Sequence, residues 1–340
     1  MPPHIQQNVP LAPYTTLGCG GVAEFFAEVR TDADLFAIAR WALENGHRIT
    51  VLGGGSNVLV RDEGISGVVI RMVSRDVTYE ERGDKTIVTA DAGVILDDLV
   101  AELVSRELWG LENLSYIPGT VGAVPVQNVG AYGVEACERI ESVVAYDTVS
   151  NEVQELSNET CQFTYRNSLF KKAEGVKYII LRVRFVVSHS VSPRLSYKEL
   201  HEHFNEQTSP TLSEVRNVII SIRKKKLPDW HIVGTAGSFF KNPILNTSEW
   251  EKLREKYSDI PAYPEKNGNV KLSLGWILDH VCNLRGYREG NVGLHEGQAL
   301  VLVCEKGTSA HEIEMFVKKV IAHVFEKTGI IVEEEVRTLG

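Results

Sequence analysis

VLGGGSNVLV, residues 51–60, places three glycines and a Ser-Asn pair between two β-branched apolar runs. Glycine weakens a strand, because it brings no side chain to pack and loses the most backbone freedom on ordering. Three in a row mean either a hard turn or something that comes closer to the backbone than a side chain would permit. The stretch is not the dinucleotide fingerprint, which opens a helix directly after its glycines. Here the apolar NVLV follows, and the lysine of a P-loop is absent. Two readings stay open from these residues alone. One is a β-bend in a buried hairpin. The other is a nest of backbone N–H groups that binds phosphate without a side-chain charge, with Ser56 and Asn57 as additional short donors.

The flanking sequence sets the class. Upstream, residues 31–45 read as a helix. Thr31 and Asp34 have capping-box spacing, Leu35, Ile38, Ala39 and Ala42 form one stripe, and Gly46 suits the position after the last turn. Residues 67–72 and 86–93 read as strands, the second leading into a helix over 96–106. SVVAYDT and KYIILRVRFVV add strands without regular helices between them, which favours an α+β arrangement over a doubly wound sheet. Residues 212–226 form a helix with Val215, Ile219 and Ile222 inward and a basic last turn, and Pro228 stops it. A domain boundary is expected there. A smaller α/β domain would follow, with a helix near 273–285, a longer helix over 309–327 behind an S-A-H-E capping box, and a strand in IIVEEEVR. The inward face of the longer helix is expected to be Ile313, Phe316, Val320, Ile321 and Val324.

Composition excludes several classes. The 340 residues are 24% charged and 43% hydrophobic, which is ordinary for a globular protein. A formal charge of −9 argues against nucleic acid or an anionic membrane as principal partner, so an anionic ligand needs locally gathered Lys and Arg. Five cysteines without a C-x-x-C pair fit reduced thiols of a cytoplasmic protein. The opening MPPHIQQNVP has neither a basic n-region nor an apolar h-region, so no secretory leader is expected. His201 and His203 diverge on a helix and no carboxylate-rich partner segment accompanies them, so no metal is expected. A second glycine-rich stretch, YIPGTVGAVPVQNVGAYG at 116–133, cannot hold a regular helix or long strand. If buried, its backbone groups need partners, from a packed Ω-type loop or from a flat ligand lying on it.

Taken in order, LGGGSNVLV, GLENLSYIPGTVGAVPVQNVGAYG, FTYRNSLFK, GSFFKNP and EEEVR resemble the UDP-N-acetylenolpyruvoylglucosamine reductase family, over nearly the whole chain. The resemblance implies a two-subdomain FAD-binding fold of the vanillyl-alcohol-oxidase type, with a third, smaller α/β substrate domain. The implied divisions are 1–75 joined by a C-terminal strand at 334–340, then 76–227, then 228–333. It implies noncovalent FAD and NADPH as co-substrate; the protein is expected in the cytoplasm, as a monomer. Reduced flavin would give hydride to the enolpyruvyl methylene carbon, and a proton would arrive at the carbon beside the carboxylate. The implied cofactor residues are Gly53, Gly54, Gly55, Ser56 and Asn57, then Pro118, Gly119, Thr120, Gly122 and Ala123, then Gln127, Asn128, Gly130, Ala131, Tyr132 and Gly133. The implied substrate residues are Tyr165, Tyr197, Lys226, Asn242 and Gln298, with LSYKEL resembling the form that carries a tyrosine loop.

Three residues would carry the chemistry by the same resemblance. Arg166 in TYRNS would grip the carboxylate, since a guanidinium stays charged and binds it bidentately. Ser238 in GTAGSFFKNP would donate the proton; a hydroxyl is a feeble acid, but an enolate is a strong base. Glu335 in EEEVR would assist it. Each has a plain alternative, respectively a surface arginine, a turn serine and a solvated acidic run. Two rival functions remain at this point. One is an oxidase on the same FAD scaffold, against which stands the absence of a tethering histidine in or directly after GGGSN. The other is a non-catalytic nucleotide-binding module, in which Arg166, Ser238 and Glu335 would lie scattered.

Overall fold

The structure, a computed structural model, describes residues 2, 4–205, 209–265 and 267–340. The chain folds as two compact units, each discontinuous in sequence. The first comprises Met1–Val9, Ala23–Gly55 and Ser66–Arg223; the second comprises Pro10–Val22, Ser56–Ile65 and Lys224–Gly340.

Two large sheets and a short two-stranded hairpin build the first unit, which bears out the α+β reading. One has the order Ile5–Pro10, Val22–Val29, Ile65–Met72, Ile49–Leu52. Its last two strands are parallel, with Ile49 opposite Val68 and Leu52 opposite Arg71. The helix Asp32–Glu44 forms as its spacing predicts: Thr31 caps it through a reciprocal capping box with Asp34, and Leu35, Ile38, Ala39 and Ala42 are buried. Burying Leu35 and Ile38 stabilises the unit by about 1.5–3 kcal/mol each. The other sheet is antiparallel, ordered Glu152–Ser157, Ile140–Asp147, Tyr178–Ser188, Lys85–Asp91, Val77–Arg82. Its central strand alternates apolar residues into the core with Arg182 and Arg184 on the other face, the period-2 pattern of a half-buried sheet. The helix Leu212–Lys226 buries Leu212, Val215 and Ile219 against Trp109, Leu200 and Phe204, and Ile222 is half-buried.

In the second unit the antiparallel sheet runs Gly234–Ser238, Val301–Cys304, Val292–Leu294, Arg288–Glu289. The helix Ala310–Thr328 has Ser309 and Glu312 in a reciprocal capping box and a left-handed Gly329 at its end. Asp62 accepts the N–H groups of Ala310 and His311, so the first turn is doubly satisfied. Its buried face is Ala310, Ile313, Phe316, Val317, Val320 and Val324, with Ile321 only half-buried. Val317 thus joins the inward face in addition to the expected residues.

Two elements differ from expectation. The helix expected near 273–285 is a three-residue α-turn, Leu274–Trp276, continued by a π-helical turn, Ile277–Val281. The C-terminal strand is shorter than 334–340. Regular pairing covers Arg337–Leu339, parallel to Val58–Val60, and Glu334 makes only an isolated bridge to Phe240. Glu335 and Val336 form a bend, because their N–H groups both turn to the single carbonyl of Phe239.

Candidate active site

In the first unit the two glycine-rich stretches meet each other. A Cβ on Gly53 would fall 2.9 Å from Thr120 Oγ1, and one on Gly54 would fall 2.6 Å from Gly119 Cα. Backbone lies against backbone here, which answers the question posed by GGGSN: the close approach is made first by the chain itself. Gly55 then takes a left-handed conformation, φ +65°. The second stretch is stitched to residues 92–96. Gly119 O accepts from Leu96 N–H at 3.1 Å, while Val121 N–H and Gly122 N–H donate to Val94 O and Ala92 O at 2.8 and 2.9 Å. Its irregular backbone is thereby satisfied without a helix or long strand. Its first residue, Tyr116 (φ +60°), is held from both sides. Asp97 accepts its N–H at 2.5 Å while pairing with Arg216 at 2.6 Å, and Arg223 Nε donates to its carbonyl at 3.0 Å.

The end of the stretch is a tight hairpin. Gly130–Ala131 pairs with Val134–Glu135, and the two loop residues, Tyr132 and Gly133, both have positive φ (+51° and +81°). This is the type I′ geometry that matches strand twist. Asn128 is fully buried. Its Nδ2 donates to Glu135 Oε2 at 2.8 Å and to Thr164 O at 3.2 Å, and its Oδ1 accepts from Cys137 N–H. That amide is committed to the loop, so Asn128 shapes the surface and its side chain has no further donor to offer. Arg166 lies in a second tight turn, closed by Thr164 and Asn167 exchanging both backbone hydrogen bonds. It is itself left-handed, φ +52°, a strained state for a non-glycine residue. Its Nη2 donates to Gly130 O at 3.0 Å, and its guanidinium lies 5.3 Å from the Tyr165 ring centre. Tyr197 is partly exposed and meets Tyr132 edge to face at 5.0 Å. Arg166, Tyr165, Tyr132 and Tyr197 therefore gather around one hairpin.

In the second unit a different set gathers. Ser238 ends the strand Gly234–Ser238, opposite Val301, after a register shift that accompanies left-handed Gly237 (φ +73°). The next residue, Phe239, links three segments. Its N–H donates to Leu300 O at 2.9 Å, and its carbonyl accepts Glu335 N–H at 2.8 Å. Asn57 Nδ2 donates to Glu335 O at 3.3 Å and Asn57 O accepts Arg337 N–H at 3.1 Å. Ser238, Glu335 and Asn57 thus lie within one hydrogen-bonded patch. Asn242 Oδ1 accepts Leu274 N–H at 3.0 Å, and the neighbouring Gly275 faces Gln298, whose Oε1 would lie 3.2 Å from a Cβ there. The Lys226 carbonyl adjoins Gly297, 3.0 Å from where a Cβ would be. Lys226, Asn242 and Gln298 are consequently neighbours.

Comparison with known proteins bears on what such sets do. Residues 23–152 match the family model described as an FAD binding domain, and residues 228–339 match that of the UDP-N-acetylenolpyruvoylglucosamine reductase C-terminal domain. A curated protein of that name from Pseudomonas aeruginosa is 38% identical over 334 residues, covering 97% of this chain and 98% of its own. One from Neisseria meningitidis is 37% identical, covering 97% and 96%. The chain belongs to the UDP-N-acetylenolpyruvoylglucosamine reductase family. A solved structure of that reductase from Thermus caldophilus superimposes with a TM-score of 0.70 at 25% identity, covering 99% of each chain.

Membership in the reductase family makes the FAD-binding domain a property of this chain, and the expected fold class holds. Sequence reading passed over residues that position the family's motifs here. Asp97 clamps Tyr116 together with Arg223, which the sequence shows only as the start of a basic cluster at a helix end. Asn113, 1% exposed, donates from Nδ2 to Tyr132 O at 2.9 Å and Arg194 O at 3.0 Å, joining the glycine-rich hairpin to the segment leading into Tyr197. The available signal was an amide between Leu111 and Leu114, since a buried polar side chain must have partners.

Proposed function

We propose that the chain reduces the enolpyruvyl group of UDP-N-acetylglucosamine enolpyruvate, with NADPH as reductant and noncovalently bound FAD as carrier, giving UDP-N-acetylmuramate for peptidoglycan precursor synthesis. The observation that carries the reading is the backbone link between the segment of Ser238 and that of Glu335, the carbonyl of the adjoining Phe239 accepting Glu335 N–H at 2.8 Å, in a chain from the reductase family.

The residues fit a flavin dinucleotide. Bare backbone at Gly53 and Gly54, where a Cβ would clash, with the positive-φ Gly55 and Gly119 beside them, suits the close approach of a diphosphate to main-chain amides. The Thr120 hydroxyl and the small Ala123 lie beside Gly53, and we assign Ser56, Pro118, Gly122 and Gln127 of the same two motifs to the cofactor with them. Gly130, Ala131, Tyr132 and Gly133 offer a small-residue hairpin for the ring. When bound, the flavin supplies the hydride it has taken from the reduced nicotinamide.

The protein's own residues do the rest. Hydride addition pushes negative charge onto the carbon beside the carboxylate, so fixed positive charge aimed there lowers the barrier. Arg166 supplies it, its guanidinium anchored by the hydrogen bond that Nη2 donates to Gly130 O. The Ser238 hydroxyl gives its proton to the enolate carbon, and Glu335 steadies the hydroxyl as it does so. Tyr165, Tyr197, Lys226, Asn242 and Gln298 hold the sugar nucleotide. We assign residues 1–75 with 334–340 and 76–227 to the flavin, 228–333 to the substrate, and the enzyme to the cytoplasm. No described helix is long and apolar enough to cross a membrane.

The test is direct. Purified protein is expected to be yellow, and to oxidise NADPH only when the enolpyruvyl sugar nucleotide is added, with the lactyl ether as product. NADPH consumption that needs only air, or a colourless protein that FAD does not reconstitute, would overturn the assignment.

A further inference from the structure

The turn that presents Gln298 is built around a histidine. His295 N–H donates to Val301 O at 2.8 Å, Val301 N–H donates back to Gln298 O at 3.0 Å, and Gln298 N–H donates to His295 O at 3.3 Å. Inside this turn, Gly297 N–H donates to His295 Nδ1 at 2.7 Å. Nδ1 is thus an acceptor, which places the ring proton on Nε2 in the neutral form. The ring also fits only because residue 297 has no side chain. A Cβ there would lie 2.9 Å from His295 Cε1 and 3.0 Å from the Lys226 carbonyl oxygen. Outside the turn, Arg285 Nε donates to Glu296 O at 2.6 Å. The Gln298 amide then rests against Gly275, beside the amide hydrogen bond of Asn242.

We propose that His295 is a positioning residue for Gln298. Its neutral ring nitrogen closes the turn on Gly297 N–H and so fixes where the Gln298 amide points relative to Lys226 and Asn242. The ring does for this turn what an asparagine does in an Asx-turn, accepting from the N–H two residues on. An asparagine Oδ1, attached to Cγ as Nδ1 is, reaches the same N–H. A glutamine oxygen, one bond further out, does not. The role rests on the reading of Gln298 as a ligand to the sugar nucleotide.

The experiment compares the flavin-loaded wild type with His295→Leu, His295→Asn, His295→Gln, Gln298→Ala and the His295→Leu/Gln298→Ala double variant. It measures the dissociation constant of the enolpyruvyl sugar nucleotide by calorimetry, beside KM and kcat. Losing one hydrogen bond that orders a binding group is expected to weaken binding roughly tenfold in His295→Leu and His295→Gln, with kcat little changed. His295→Asn is expected to bind within about twofold of the wild type. The double variant is expected to bind no more weakly than Gln298→Ala, because the histidine acts through the glutamine. If Gln298→Ala binds weakly but His295→Leu and His295→Gln bind normally, or if the two losses multiply in the double variant, His295 does not position Gln298. If Gln298→Ala itself binds normally, it is the substrate role of Gln298 that falls, and this proposal with it. Should His295→Leu fail to fold, the contrast between the asparagine and glutamine variants decides.

Discussion

A Cβ on Gly54 would lie 2.6 Å from the Cα of Gly119, closer than side-chain carbons approach a backbone. The glycine loop and the 116–133 stretch are therefore one packed surface, and Gly54 must lack a side chain before any ligand arrives.

Gly54→Val is expected to force the two loops apart, destabilising the first unit by about 1–3 kcal/mol through overpacking and lowering the flavin-to-protein ratio after purification. Gly46→Ala is the control, since nothing lies within 4 Å of a Cβ there and only its φ of +71° is strained. The absorbance ratio and the thermal midpoint of both variants check this. A Gly54→Val protein with full flavin content would contradict it.

Arg166→Lys keeps the charge and removes the planar fork. If the guanidinium grips the substrate carboxylate, this is expected to cost about 1.5–3 kcal/mol of transition-state stabilisation, a tenfold to hundredfold loss in kcat/KM, with Arg166→Met worse. Flavin content is expected to hold. Lysine activity equal to that of the wild type would rule out the bidentate grip.

Four cysteines are buried, and burial pushes their thiols up: Cys19 and Cys161 to about 12, Cys282 and Cys304 to about 11. A thiol so far above neutral pH carries almost no thiolate and reacts slowly. Native protein treated with iodoacetamide is expected to be modified at no site but half-buried Cys137, and that slowly, whereas denatured protein is modified at all five cysteines. Mass spectrometry reads the outcome. Rapid native labelling of Cys19 or Cys304 would show that those thiols open to solvent.

Burial lowers the pKa of His295 from its ordinary 6.5, with Glu296 opposing the shift. Between the lowered folded value and 6.5 the unfolded chain binds more protons than the folded one, so stability falls as pH falls through that window and is flat above it. The wild type is expected to lose thermal stability relative to His295→Asn as pH drops from about 7.5 to about 5.5. Parallel pH profiles for the two proteins would mean that the ring is not held neutral.

Much of this arrangement was legible beforehand, for local reasons. The helices Asp32–Glu44 and Ala310–Thr328 announce themselves by capping boxes and one apolar stripe, both read from neighbours within a few residues. The segment 330–337 does not, because its bend at Glu335 is made by the Phe239 carbonyl and the Asn57 amide, far away in sequence. The helix expected near 273–285 loosens into a π-turn after Trp276 for which the apolar spacing gives no warning. Among site residues, Arg166, Ser238 and Glu335 were reached through motif resemblance alone. The residues that hold others in place, Asn113, Asp97 and His295, have no motif, and each shows its role only through a hydrogen bond to a distant or turned backbone.

The proton donor offers the sharpest test. Ser238→Ala is mixed first with NADPH and then, once the flavin colour has bleached, with the enolpyruvyl sugar nucleotide in a stopped-flow instrument without oxygen. Bleaching is expected at the wild-type rate. Return of the colour is expected to slow by about a hundredfold or more, the usual loss on removing a proton donor in the transition state. Return of colour at the wild-type rate, with normal product, would show that the Ser238 hydroxyl does not deliver the proton.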